Sequence, residues 1–186
     1  MGRLLVTEFV TLDGVMEAPG GEPTHVHTGW VEPFFSPDLG EFKGRETLES
    51  ERLLLGRVTY ESFAGAWPTY EGEMAVKMNT MPKHVVTSST EPLAWENSHR
   101  LEGELAPAVR ALVDASTGTV QVAGSCQLVH ALLRADLVDE LRLLVFPVSV
   151  GGGRLRVFPD GGDLLRYTLD SARPFESGAV LLTYVR

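Results

Sequence analysis

Short apolar runs alternate along the chain with stretches of helical periodicity. Leu4 to Leu12 reads as a first strand, and Asp13-Gly14 ends it as a turn pair. Residues 17–33 are rich in Gly, Pro, Thr and His and read as a long irregular loop, a kind of segment that is usually functional. Ser36-Pro37 supplies an N-cap and a proline at the first helical position, which predicts a helix running to about Glu49. Arg52-Leu53-Leu54-Leu55 is the short, unbroken apolar run expected of a strand buried on both faces. Gly56 follows at once, and Val58 to Ala64 reads as helix.

Further along, Lys83 to Thr87 is another short strand. Leu105, Val109, Leu112 and Val113 share one helical face after Gly103. Thr119 to Ala123 is a β-branched strand, Gly124 breaks it, and Gln127 to Arg134 is helical. Leu141 to Val150 reads as a long apolar strand. Gly151-Gly152-Gly153 then requires a turn or a very close backbone approach. About Leu165 to Arg173 and Val180 to Val185 form two last strands, joined as a hairpin through Ser177-Gly178. Strands alternating with helices, then consecutive strands, predict a mostly parallel mixed sheet covered on both faces, with an antiparallel edge.

Composition narrows the function classes. A chain of 186 residues with 44% apolar content, no repeat and no linker is expected to be one domain, 1–186. No stretch approaches the ~18 apolar residues of a membrane span. The start meets Arg3 and Glu8 too soon for a secretory core, so a cytoplasmic location is expected. A net charge of −9 argues against nucleic-acid binding, which needs clustered Lys and Arg. Cys126 is the single cysteine, which excludes an intrachain disulfide and a cysteine-rich zinc site; no metal is expected.

Two segments repeat one design, a short apolar strand, a glycine and a helix: Leu53 to Tyr60 around Gly56, and Val120 to Ser125 around Gly124. In open α/β sheets ligands bind beyond the carboxyl ends of the strands, where a helix N-terminus offers free N–H groups to a phosphate. Arg57 adds a forked donor suited to phosphate. Neither segment carries the G-x-G-x-x-G or phosphate-loop fingerprint, and glycines that merely turn the chain are the competing reading. Thr87-Ser88-Ser89 after the third short strand either bonds a ribose or builds a hydroxyl-rich turn.

Leu54 to Glu61 resembles the dihydrofolate reductase segment in which a strand, Gly-Arg and Thr lead into the cofactor helix. Thr11 to Met16, Ala66-Trp67-Pro68, Met78 to Lys83, Ala123-Gly124-Ser125, Leu137 to Arg142 and Phe146 to Gly151 resemble dihydrofolate-reductase-like relatives of the reductase domain of bifunctional riboflavin-biosynthesis enzymes. The resemblance runs from about residue 3 to residue 186. It implies a three-layer α/β/α fold, NADPH as cofactor, and a homodimer pairing through the C-terminal strands. It also implies Gly56, Arg57 and Thr59 along the cofactor phosphates, and Thr87, Ser88 and Ser89 near the adenosine ribose. Gly124, Ser125 and Cys126 would face the pyrophosphate and nicotinamide, with Asp13 close to the nicotinamide and substrate. The H-x-E and P-C-x-x-C signatures of a zinc deaminase are missing, so the reductase is expected to act without a fused deaminase.

Hydride transfer then needs a small electrophilic substrate, of riboflavin-pathway aminopyrimidine or pterin type, and a proton donor. Asp13 is the first candidate donor, before Glu17, Glu32 and Asp38. Trp30, Phe34 and Phe35 either wall a flat heterocycle or anchor the loop, with Asp38 or Glu41 as a loose counterpart of a pterin-gripping carboxylate. His25 and His27 read as loop surface, Trp67-Pro68 as packing, and Cys126 as a small buried filler. The alternative function is a ligand-binding module of the same fold without turnover.

Overall fold

The computed structural model describes residues 2–161 and 164–186. Its strands are β1 (Arg3–Thr11), β2 (Ser50–Gly56), β3 (Lys83–Val86), β4 (Ser98–Arg100), β5 (Thr119–Val122), β6 (Glu140–Phe146), β7 (Thr168–Pro174) and β8 (Val180–Val185). The α-helices are α1 (Pro37–Glu49), α2 (Arg57–Ala66), α3 (Glu73–Thr80), α4 (Leu105–Asp114) and α5 (Cys126–Arg134). The eight strands form one sheet in the order β4-β3-β2-β5-β1-β6-β8-β7. All pairings from β4 to β6 are parallel, and β8 pairs antiparallel with both β6 and β7.

Alternation along each strand distributes its side chains between two apolar layers. Leu54, Val120, Val122, Leu141 and Leu143 pack with Leu128, Val129 and Leu132 of α5 and Val109 of α4. On the opposite face Leu53 and Leu55 pack with Tyr60 of α2 and Met78 of α3. Leu144 and Phe146 pack there with Leu39 of α1 and Trp30 of the long loop. The helices therefore cover both faces, as the run Leu53-Leu54-Leu55 requires.

Three differences from the sequence reading have local causes. The strand expected over Leu141 to Val150 stops at Phe146, because Pro147 has no N–H for the ladder. Val148 N–H turns back onto Phe146 O at 2.8 Å. Helix α3 and the short edge strand β4 carry no strong apolar period and were not expected. Lys83 locks this part together: it is fully buried, and its ammonium donates to the carbonyls of Asn79, Met81 and Glu96 at 2.7, 2.8 and 2.9 Å. All three of its donors are used, which is the condition for burying an ammonium.

The triple glycine serves both of its expected uses. Gly151 and Gly152 have φ of 63° and 59°, a left-handed turn. At Gly153 a Cβ would lie 2.4 Å from Val15, so the backbone itself packs there.

Candidate functional site

The site begins with a mismatch in strand length. β5 pairs with β1 only from Arg3 to Val6, whereas β1 continues to Thr11 paired with β6. From Thr7 onward one edge of β1 is therefore left open beyond the end of β5. A cavity of about 610 Å³ occupies this gap. Its walls include Thr7, Glu8 and Phe9 of β1, Thr59 of α2, and Gly124, Ser125 and Cys126 where β5 passes into α5. Glu17 to Gly20 of the long loop and Lys43 of α1 close other sides, and Phe35, Trp67 and Tyr70 add aromatic surface.

Both glycine junctions lie here together, because β2 and β5 are neighbouring parallel strands. Gly56 N–H reaches Gly124 O at 3.4 Å. A Cβ on Gly124, whose φ is +91°, would stand 2.7 Å from Thr59 Oγ1. A Cβ on Gly56 would stand 2.1 Å from Ser125 Oγ. Glycine is thus required at both positions to let the two helix starts approach. Neither α2 nor α5 has a side-chain cap at its N-terminus, so the first-turn amides of both helices are left without side-chain acceptors.

β3 ends beside β2, with Val86 in register with Gly56. Thr87, Ser88 and Ser89 therefore leave the sheet at the same end as the two junctions. Thr87 Oγ1 accepts Ser89 N–H at 3.0 Å and Ser89 Oγ accepts Glu91 N–H at 3.2 Å, so the oxygens build a turn while the hydroxyl hydrogens stay available. Arg57 stands exposed at the start of α2, 3.2 Å from Glu61 one turn on, and does not line the cavity.

The carboxylates expected near a substrate have other duties. Asp13 accepts Thr11 Oγ1 at 2.6 Å and the amides of Val150 and Gly151 at 3.3 and 2.9 Å. The Thr11 hydroxyl above all, with the Gly151 amide, holds this carboxyl well below the usual range. It does not line the cavity, and it ties the end of β1 to the glycine turn. Asp38 likewise accepts Ser36 Oγ, Leu39 N–H and Glu176 N–H at 2.5, 2.9 and 3.1 Å, joining the start of α1 to the β7–β8 turn, and does not line the cavity. Glu41 is exposed and pairs with Arg45. Glu32 is outside the cavity, whereas Glu17 lines it and spends Oε2 on the amides of Arg154 and Leu155.

Trp30 is buried, donates from Nε1 to Glu17 O at 2.8 Å and packs edge-on against Phe146. Phe34 also packs on Phe146. Both anchor the loop, and only Phe35 of the three aromatics reaches the cavity. Cys126 Sγ bonds to Arg156 O at 3.3 Å, and burial pushes its thiol up, so it is held protonated. His25 bonds to Gly151 O at 3.2 Å, and no metal-binding cluster occurs among the described residues.

Two residues of the cavity were not foreseen. Glu8 is 7% exposed, and its Oε1 is buried without a hydrogen-bond partner among the described residues. Burial pushes its carboxyl up to about 8, against the opposing pull of the Gly124 backbone and Lys43. Lys43 pairs with Glu46, which Arg142 also holds from the other side at 3.0 Å. Burial pushes Glu46 upward, but Lys43 and Arg142 outweigh it and keep this carboxyl below its ordinary value. The signal for Glu8 was visible in principle: a carboxylate in the middle of a strand, between Val6 and Val10 on the same face.

Taken together, the mostly parallel sheet, its antiparallel C-terminal strands and the cleft between β1 and β2 define a dihydrofolate-reductase-like fold. A model of the RibD C-terminal domain matches residues 3–181, and the chain belongs to that family. It is similar to the uncharacterized protein YyaP of Bacillus subtilis (strain 168), at 24% identity over 98% of this chain and 94% of that one. Among solved structures it is similar to a putative riboflavin biosynthesis protein from Shewanella sp. PV-4, with a TM-score of 0.69, 19% identity and coverage of 100% and 99%. It is also similar to dihydrofolate reductase from Enterococcus faecalis complexed with NADP(H) and RAB-propyl, with a TM-score of 0.65, 19% identity and coverage of 100% and 96%.

No helix of the described residues is long and apolar enough to cross a membrane.

Proposed function

We propose that this protein is an NADPH-dependent reductase that transfers a hydride to a C=N or C=O bond of a small heterocyclic or ribosyl-linked compound. One observation carries the reading. The uncapped starts of α2 and α5 lie side by side at the carboxyl ends of β2 and β5, and one cavity runs from them to the open edge of β1. A dinucleotide needs that combination: paired amides for its pyrophosphate and an adjoining pocket for the reacting ring. Family membership and the NADP(H) of the Enterococcus relative agree with it.

The residues present fit such a cofactor. The first-turn amides at Arg57 to Thr59 and at Ser125 to Gln127 would take the phosphates, with the Arg57 guanidinium swinging from Glu61 to join them. Thr87, Ser88 and Ser89 would donate hydroxyl hydrogens to the ribose or its phosphate. The cofactor supplies the hydride when bound. Phe35, Trp67 and Tyr70 would offer flat surface to a heterocycle, which suits the aminopyrimidine or pterin class. The engagement of Asp13 and Asp38 in structural ties favours, as a second reading, a ligand-binding relative without turnover.

Fluorescence titration with NADPH, followed by NADPH oxidation over a panel of pterins, aminopyrimidines and cyclic imines, tests both. The reductase reading expects saturable binding, weakened roughly 10-fold in Arg57→Ala by loss of one charge-assisted contact, and turnover with at least one class. Binding without any turnover would favour the second reading.

A further inference from the structure

Among the described residues three carboxylates line the cavity, Glu8, Glu17 and Glu22, and two of them are accounted for. Glu17 holds two backbone amides and Glu22 caps Gly20; Glu46, which does not line the cavity, is locked between Lys43 and Arg142. Glu8 alone is buried with an oxygen that meets no partner. A buried polar atom left unsatisfied costs about 1–3 kcal/mol, so its retention in the cavity wall asks for a reason.

The position of Glu8 supplies one. It sits on β1 just past Val6, where β5 has ended and the strand edge is open. It therefore stands next to the Gly124–Cys126 junction, at the inner end of the same cavity. We propose that Glu8 is the proton donor of the reduction, delivering its carboxylic O–H to the nitrogen or oxygen of the bond being reduced. This role rests on the reductase reading above.

The balance is simple. The substrate carbon receives a hydride and its electron pair from the dihydronicotinamide C–H bond, and a new C–H bond forms. The π pair of the C=N or C=O bond moves to the heteroatom, which takes the Glu8 proton. The products are the reduced substrate, the oxidised nicotinamide and a Glu8 carboxylate, which solvent reprotonates through the mouth of the cavity. A general acid should titrate near the working pH. Burial raises Glu8 to about 8, Glu46 on α1 adds to that, and the Gly124 backbone and Lys43 oppose it. Cys126 of α5, the other titratable group on that side, is held protonated by burial and adds no charge. Glu17 on the loop is the remaining acid at this end of the cavity.

The test uses wild type, Glu8→Gln and Glu8→Asp. NADPH affinity is measured first, by titration. Infrared difference spectra of the NADP⁺ complexes then follow the carboxylic C=O stretch across pH, and turnover is measured on the same panel of imines and carbonyl compounds. The proposal expects a carboxylic acid band at pH 7 that is missing in Glu8→Gln. It expects turnover that falls as pH rises through about 8. Glu8→Gln should lose roughly 100-fold or more in kcat, the usual range for a general acid, with NADPH affinity nearly unchanged. Glu8→Asp, which keeps the acid, should recover part of that loss. If NADPH binds and Glu8 is ionised at pH 7, or if Glu8→Gln turns over at the wild-type rate, this role is overturned while the reductase reading stands. If wild type binds no NADPH, the reductase reading itself has failed.

Discussion

Replacing Glu8 by glutamine should stabilise the protein, and by an amount that depends on pH in one particular way. The carboxyl is raised from its ordinary 4.5 to about 8 by burial. Below pH 4.5 it is neutral in both the folded and the unfolded chain, and glutamine is a close neutral replacement. Between 4.5 and 8 the unfolded chain ionises while the folded one keeps its proton, so the folded state binds more protons and stability falls with rising pH. Each pH unit in that window costs ~1.4 kcal/mol. Over the whole interval the penalty reaches ~5 kcal/mol and then stays constant above pH 8. The variant has no such penalty. Urea denaturation of wild type and Glu8→Gln from pH 5 to 9 should give curves that nearly meet at pH 5 and separate steadily to pH 8. A difference that does not change with pH would show that Glu8 ionises normally, and the account of its burial would fail. A residue that weakens the fold in this way is expected where function requires it.

Gly124→Ala would force a side chain into φ +91° and to within 2.7 Å of Thr59 Oγ1. It should lower stability by about 1–3 kcal/mol and weaken NADPH binding, read by thermal denaturation and titration. Glu51 accepts the amides of Thr117 and Gly118 at 2.8 and 2.6 Å, and the Gly118 amide above all holds its carboxyl down at about 2. This depressed carboxyl stabilises the fold above its ordinary 4.5, and the benefit disappears as pH falls through 2. Glu51→Ala should therefore cost about 1–2 kcal/mol at pH 7, and the deficit should shrink below pH 4.5 in acid-denaturation curves.

The parallel core was legible because its signals are local. Leu53-Leu54-Leu55 has no polar face and so belongs between two helical layers; Gly56 ends β2 and is the N-cap residue of α2, and Gly124 lies in the short junction between β5 and α5. β4 was not legible, since Ser98-His99-Arg100 joins an edge through its backbone and shows no apolar alternation. Helix α3 buries Ala75 and Met78 but leaves Val76 exposed, so its apolar residues give no clear period. The partners of the expected carboxylates were legible only in part. Asp13 follows a strand and neighbours a glycine; its carboxyl is held first by Thr11, two residues back, and also by the amides of Val150 and Gly151, which only the fold brings near. Asp38 likewise combines local partners, Ser36 and Leu39, with the distant amide of Glu176. Glu8 depends on distance too: nothing near it in sequence reveals that β5 ends at Val122 and leaves its edge of β1 open.

The central claim is that a dinucleotide phosphate sits between the starts of α2 and α5. Titration of isotopically labelled protein with NADP⁺, followed by amide NMR shifts, tests it at the atoms concerned. The largest changes should fall on Gly56 to Thr59, Gly124 to Gln127 and Thr87 to Ser89, with β7 and β8 unmoved. Saturating NADP⁺ that leaves those amides unshifted, or shifts a set of residues elsewhere on the sheet, would contradict it.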